Sequence, residues 1–128
     1  MFDNNVFIED SCRNYIANGI VIGFELQTYI TYYRAIPLSM VNDIRVKVDG
    51  IEIPRQSIRC TDGIDTFTLD EMTTAINNKW EYGEPLTIRC LGEGLSSGEH
   101  DVELTVIVRT AYIPVPIEGR KERKILIA

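Results

Sequence analysis

The dipeptide Asp49-Gly50 constrains this chain more than any other feature. It lies within residues 43–54, where Ile44, Val46 and Val48 on one side and Ile51 and Ile53 on the other alternate with Arg45, Lys47 and Glu52. Successive side chains of a strand point to opposite faces, so period two on both sides of a turn describes two half-buried strands. Asp-Gly is favoured in the two-residue type I′ turn, whose central residues both need positive φ. That register pairs Val48 with Ile51 and Val46 with Ile53 on one face. Arg45, Lys47 and Glu52 fall on the other, and a β-hairpin is predicted.

The same alternation recurs along the chain. Residues 6–9 form a short alternating run that opens a first strand, followed by a turn signal at Asn18-Gly19. In residues 20–30 the apolar Ile20, Ile22, Phe24, Leu26 and Ile30 share one parity against Glu25 and Gln27, which predicts a long strand with one wet face. Short strands are expected over 56–60 and 65–68 around Asp62-Gly63. Thr68 and Glu71 have capping-box spacing, with Leu69, Met72 and Ile76 on one helical side and Asn77-Asn78 as the stop. Residues 86–91 alternate again, 92–98 form a loop, and Val102, Leu104, Val106 and Val108 make the inward face of a further strand. Pro114 and Pro116 remove alternate amides, so 113–116 is an edge or crossing segment. The basic run 120–124 is read as solvated, and 125–127 as a last apolar strand or docking tail.

Seven or more short strands with at most one short helix define an all-β chain, and two half-apolar sheets bury their faces against each other in an antiparallel β-sandwich. An immunoglobulin-like topology is the first expectation, although the cysteine and tryptophan spacing of true immunoglobulin domains is absent. The 128 residues fit a single domain, 1–128. Thirteen basic against nineteen acidic side chains leave a net charge of −6, which repels a phosphate backbone, so nucleic acid and anionic membrane are poor partners. No apolar run approaches membrane-spanning length and the first residues lack a basic signal-peptide start, so a cytoplasmic location is expected. Cys12, Cys60 and Cys90 are odd in number and lack CxxC spacing, which predicts free thiols.

Nothing in the residues describes a self-contained active site. His100 stands between Glu99 and Asp101, but adjacent strand residues face opposite ways and cannot converge on a metal. Ser11, Ser39, Ser57, Ser96 and Ser97 lie in no nucleophile-elbow context, and no phosphate-cradling glycine loop is present. Asp70 with Glu71 reads as a helix start, and Glu81 with Glu84 as a turn. No catalytic, cofactor-binding or metal-ligating residue is therefore assigned to this chain. The candidate site is a contact surface: Tyr32, Tyr33 and Arg34, types enriched at binding hot spots, precede the apolar Ile36, Pro37 and Leu38. The competing reading of that stretch is a sheet-edge turn in the domain's own core.

The order Tyr32-Tyr33-Arg34, Ile36-Pro37-Leu38-Ser39-Met40 and Val46-Lys47-Val48-Asp49-Gly50 resembles the small beta subunit of bacterial C-glycoside deglycosidases. The resemblance continues through Ile8-Glu9-Asp10-Ser11, Thr68-Leu69-Asp70-Glu71-Met72, Trp80-Glu81-Tyr82-Gly83 and Gly98-Glu99-His100. It implies a heteromeric carbon-carbon lyase. Its larger alpha subunit is a sugar-isomerase-like TIM barrel holding a divalent metal, manganese, and the catalytic base. The substrate implied is a 3-oxo-glucosyl group joined through carbon to an aromatic, flavonoid-type aglycone. Deprotonation next to the sugar carbonyl gives an enediolate that the metal can stabilise, and elimination releases the aglycone. The present chain would support assembly and the barrel's active site, with the interface at Tyr32, Tyr33, Arg34, Ile36, Pro37 and Leu38. Two other classes remain: a carbohydrate-binding β-sandwich module with Trp80, Tyr82, Tyr32 and Tyr33 as stacking platform, and a homomeric structural protein.

Overall fold

In the computed structural model, which describes residues 3–30, 35–110 and 113–127, Asp49 and Gly50 adopt left-handed backbone angles, with φ of 51° and 83°. The turn joins β4 (Val41–Val48) to β5 (Ile51–Glu52), with Val48 opposite Ile51 and Lys47 opposite Glu52. The Ile53 amide donates to the Val46 carbonyl at 2.8 Å, so the hairpin register is the one the turn chemistry demands. A Cβ on Gly50 would touch nothing within 4 Å, which leaves backbone strain as the only penalty for a larger residue there. Gly50→Val should therefore lower stability by about 1–2 kcal/mol, whereas Gly50→Asn should be far milder. Thermal melts of the two variants measure the difference, and equal melting temperatures would contradict it.

The remaining strands are β1 (Arg13–Ala17), β2 (Ile20–Thr28), β3 (Ile36–Pro37), β6 (Ile58–Thr61), β7 (Thr66–Thr68), β8 (Lys79–Trp80), β9 (Leu86–Leu91), β10 (Gly98–Thr110) and β11 (Ile113–Ile127). They form a five-stranded sheet in the order β1-β2-β9-β6-β7, a four-stranded sheet in the order β11-β10-β4-β5, and a two-residue ladder of β3 with β8. Neighbouring strands run antiparallel throughout. These orders match an immunoglobulin sandwich, with β1, β2, β9 and β6 in the places of A, B, E and D, and β11, β10 and β4 in those of G, F and C. The inner faces meet in one core. Phe24, Leu26, Ile58, Leu86 and Ile88 come from the first sheet, and Ile44, Val46, Val102, Leu104, Val106 and Val108 from the second. Among the described residues no helix is long and apolar enough to cross a membrane.

Several expectations are corrected. Residues 6–9 are not a strand: a 3-10 turn at Asp3–Asn5 precedes them, and Phe7 and Asp10 have φ of 61° and 63°, which breaks extension. Val6 and Phe7 are nevertheless fully buried, and the Arg123 guanidinium donates to the Phe7 carbonyl at 2.7 Å, closing the seam between the sheets. The parity of residues 20–30 also fails below Phe24. Tyr15 pairs with Gly23 and Ile16 with Val21, so β2 carries an extra residue, and Ile20 is exposed. A Cβ at Gly23 would lie 2.1 Å from the Cys90 carbonyl oxygen, so this close strand contact admits only glycine. The edge segment 113–116 and the last strand 125–127 form as expected, but they are not separate: with 120–124 they make one 15-residue edge strand, β11, in register with β10 from Ile117 to Ile127.

The capping box forms as read. The Thr68 side chain accepts from the Glu71 amide, the Glu71 carboxylate accepts from the Thr68 amide, and α1 (Leu69–Met72) follows. It ends after a single turn, so Leu69 and Met72 are buried while Ile76 is exposed. The cysteines are free thiols. Burial pushes Cys12 and Cys60 up to about 12 and Cys90 upward also, which leaves all three protonated and unreactive near neutrality.

Candidate partner interface

Two connections and the end of β10 meet at the end of the sandwich where β2 finishes. The chain from β2 to β4 contributes β3, which pairs Ile36 with Trp80 and Pro37 with Lys79 of the connection between α1 and β9. The ladder stops at Pro37, as a residue without an amide hydrogen dictates. Beyond it the Leu38 amide donates to the Asn78 carbonyl at 2.8 Å and the Ser39 amide to Ala75 at 3.3 Å. Arg109, at the end of β10, ties that strand to the same region by donating to the Ser39 carbonyl at 3.0 Å and to the Asn42 side chain. This end is thus a cross-linked platform, equivalent to the loop-bearing end of an immunoglobulin sandwich.

Of the sequence-predicted site, Tyr32, Tyr33 and Arg34 lie outside the described residues. Ile36 and Leu38 are 4% and 0% exposed, so in the free chain their side chains fill this domain's own core, the competing reading of this stretch. Each gains roughly 1.5–3 kcal/mol by leaving water. Pro37, between them, is half-buried. Tyr82, named as part of a stacking platform, is exposed here, and sequence reading missed two further exposed side chains at this end, Tyr29 and Ile76. The signal for Ile76 was its distance from the capping box, since a one-turn helix cannot carry it inward.

Trp80 is also corrected. It is 3% exposed, and its indole N–H donates to the Glu84 carbonyl at 2.9 Å. It is a core side chain with its one donor satisfied, unavailable as a stacking platform for sugar. That removes the largest surface on which the carbohydrate-module reading relied.

At the opposite end, His100 is structural. Its Nδ1 lies 2.8 Å from the Asp49 carboxylate and its Nε2 2.8 Å from the Ser96 carbonyl, two acceptors that favour the protonated ring, with the Ser96 hydroxyl 3.3 Å from the same Nε2. Asp49 also accepts from the Asp101 amide at 2.9 Å, which ties the hairpin turn to β10. The bond to Asp49, with the Ser96 carbonyl behind it, raises the His100 pKa; the Asp101 amide and then His100 lower that of Asp49. A raised histidine pKa contributes stability fully below the ordinary value of about 6.5, and that contribution fades as pH rises through the folded value. Asp49→Asn keeps a turn-compatible residue and removes the charge. We expect it to move the His100 titration downward in an NMR pH series; an unchanged midpoint would show that the carboxylate is not the cause. Among the described residues no group of three or more His, Cys, Asp or Glu side chains converges as a metal site.

Comparison with known proteins gives a consistent result. The family profile described as C-glycoside deglycosidase beta subunit matches residues 2–112. The 3'-dehydrocarminate deglycosidase beta subunit of a Microbacterium species is 28% identical over 115 residues, covering 90% of this chain and 83% of the relative. A C-glycoside deglycosidase beta subunit of Arthrobacter globiformis is 28% identical over 136 aligned positions that span both chains completely. One of Eubacterium cellulosolvens is 28% identical over 102 residues, 79% of this chain and 69% of the relative.

Proposed function

Because the chain belongs to the C-glycoside deglycosidase beta subunit family, we propose that it is the small subunit of a heteromeric enzyme that cleaves the carbon-carbon bond of a 3-oxo-C-glycoside with an aromatic aglycone. The observation that supports this most is the family match over residues 2–112, on an immunoglobulin-like sandwich. In this reading the alpha subunit, a TIM barrel, holds the divalent ion, manganese, and the catalytic base. The role of this chain is to hold that subunit in its working assembly in the cytoplasm, using the loop-bearing end of the sandwich around Tyr32, Tyr33 and Arg34.

The test is co-expression with the alpha subunit followed by affinity purification through this chain. The two should co-purify, and only the complex should release aglycone from an oxidised C-glycoside. Turnover by the isolated chain, with alpha subunit excluded by mass spectrometry, would overturn the assignment of catalysis to the partner.

A further inference from the structure

The outward face of the five-stranded sheet carries an ordered row of charge. Strand register places Arg13, Glu25, Arg89, Arg59 and Thr68 side by side across all five strands. Side chains in one cross-strand row share a face, here the one opposite Phe24 and Ile58. Glu25 is 7% exposed because Arg13 and Arg89 flank its carboxylate, each at 3.4 Å. Arg59 points its guanidinium at two neutral carbonyls, those of Gln56 and Ile58. The next row, Tyr15, Gly23 and Leu91, places the Tyr15 ring 4.2 Å beneath the Arg89 guanidinium. That contact leaves for other acceptors the guanidinium N–H groups that Glu25 does not take.

The row therefore presents three arginines against one glutamate, with the Glu71 carboxylate near enough to feel the charge of Arg59, in a chain whose net charge is −6. The outward face of the other sheet is mixed: Arg45, Lys47 and Arg120 stand among Glu52, Glu103 and Glu118. We propose that the arginine row, with Tyr15 and Leu91 at its end, docks a carboxylate-bearing surface of the larger subunit. The inference rests on the small-subunit reading and adds a second contact, away from the loop-bearing end. A second copy does not suit this face, because a two-fold contact would set arginine against arginine. Carboxylates do suit it, since planar guanidiniums bind them in bidentate pairs.

The experiment measures association of the folded chain with purified alpha subunit at low and high salt. Arg13→Glu combined with Arg59→Glu should slow association at low salt by about tenfold or more, and the gap should narrow at high salt. Lys47→Glu, on the other sheet, should stay within about twofold of wild type by the same argument. Thermal melts check folding, and Leu91→Asp replaces the double variant if that variant is unstable. Wild-type association in the reversed variant overturns the docking assignment alone. Self-association of the chain that charge reversal abolishes would give the face to a second copy instead. Failure of the unaltered chain to bind alpha subunit at any salt overturns the small-subunit reading, and this inference with it.

Discussion

Leu38→Ala should destabilise the domain by about 2–5 kcal/mol in urea unfolding with little change in slope. Leu38 is fully buried, and its amide is fixed to the Asn78 carbonyl, so the backbone cannot follow the shortened side chain inward. Loss of buried apolar atoms then adds to the cost of the cavity left behind. Pro37 beside it stiffens the approach, with φ of −62°. Had Leu38 been a contact residue exposed in the free chain, the same truncation would stay within about 0.5 kcal/mol. An unfolding midpoint equal to wild type would return Leu38 to the interface.

Tyr33→Ala and Arg34→Ala should behave in the opposite way, leaving the melting temperature of the free chain near wild type and weakening partner binding. A hot-spot side chain is worth about 2 kcal/mol or more, roughly thirtyfold in affinity. Ile30 and Ile36, which flank residues 31–35 in the chain, are both in the core. Ala35, the next described residue, is exposed. Calorimetric unfolding of each variant, paired with its affinity for alpha subunit, separates three outcomes. Lost folding with intact affinity in the surviving protein would place the side chains in the core. Intact folding and affinity with lost turnover would place them at the substrate. Intact folding with weakened affinity is the expected result, and it would divide residues 31–38 into a contact half and a core half.

That division marks where reading residues alone stopped. Tyr, Arg and apolar types in succession look alike whether they face a partner or their own core, because both environments reward buried area. For Ile36 and Leu38 the decision came from the two-residue ladder with β8 and the bond to Asn78, supplied by chain about forty residues away. Trp80 illustrates the same point: as a sequence feature it suggested a sugar platform, and its burial depends on the Ile36 ladder and the Glu84 carbonyl. The arginine row is still less legible, since Arg13, Arg59 and Arg89 become neighbours only through strand register.

The sequence by itself determined the features whose partners lie within a few residues: the Asp49-Gly50 hairpin and its register, the Thr68 and Glu71 capping box, the alternating strand from Leu86 to Leu91, and the all-β class that follows from such alternation. Positive φ preferences and side-chain-to-amide bonds act locally, so local residues are enough to predict them. The tertiary structure alone decided the rest. It set Phe7 in a left-handed bend under Arg123, 116 positions away, and let β2 bulge opposite Tyr15, which turned Ile20 outward. It also merged three C-terminal pieces into one strand along β10. In each case the favoured conformation depends on a partner brought near only by closing a long loop, and no local propensity carries that information.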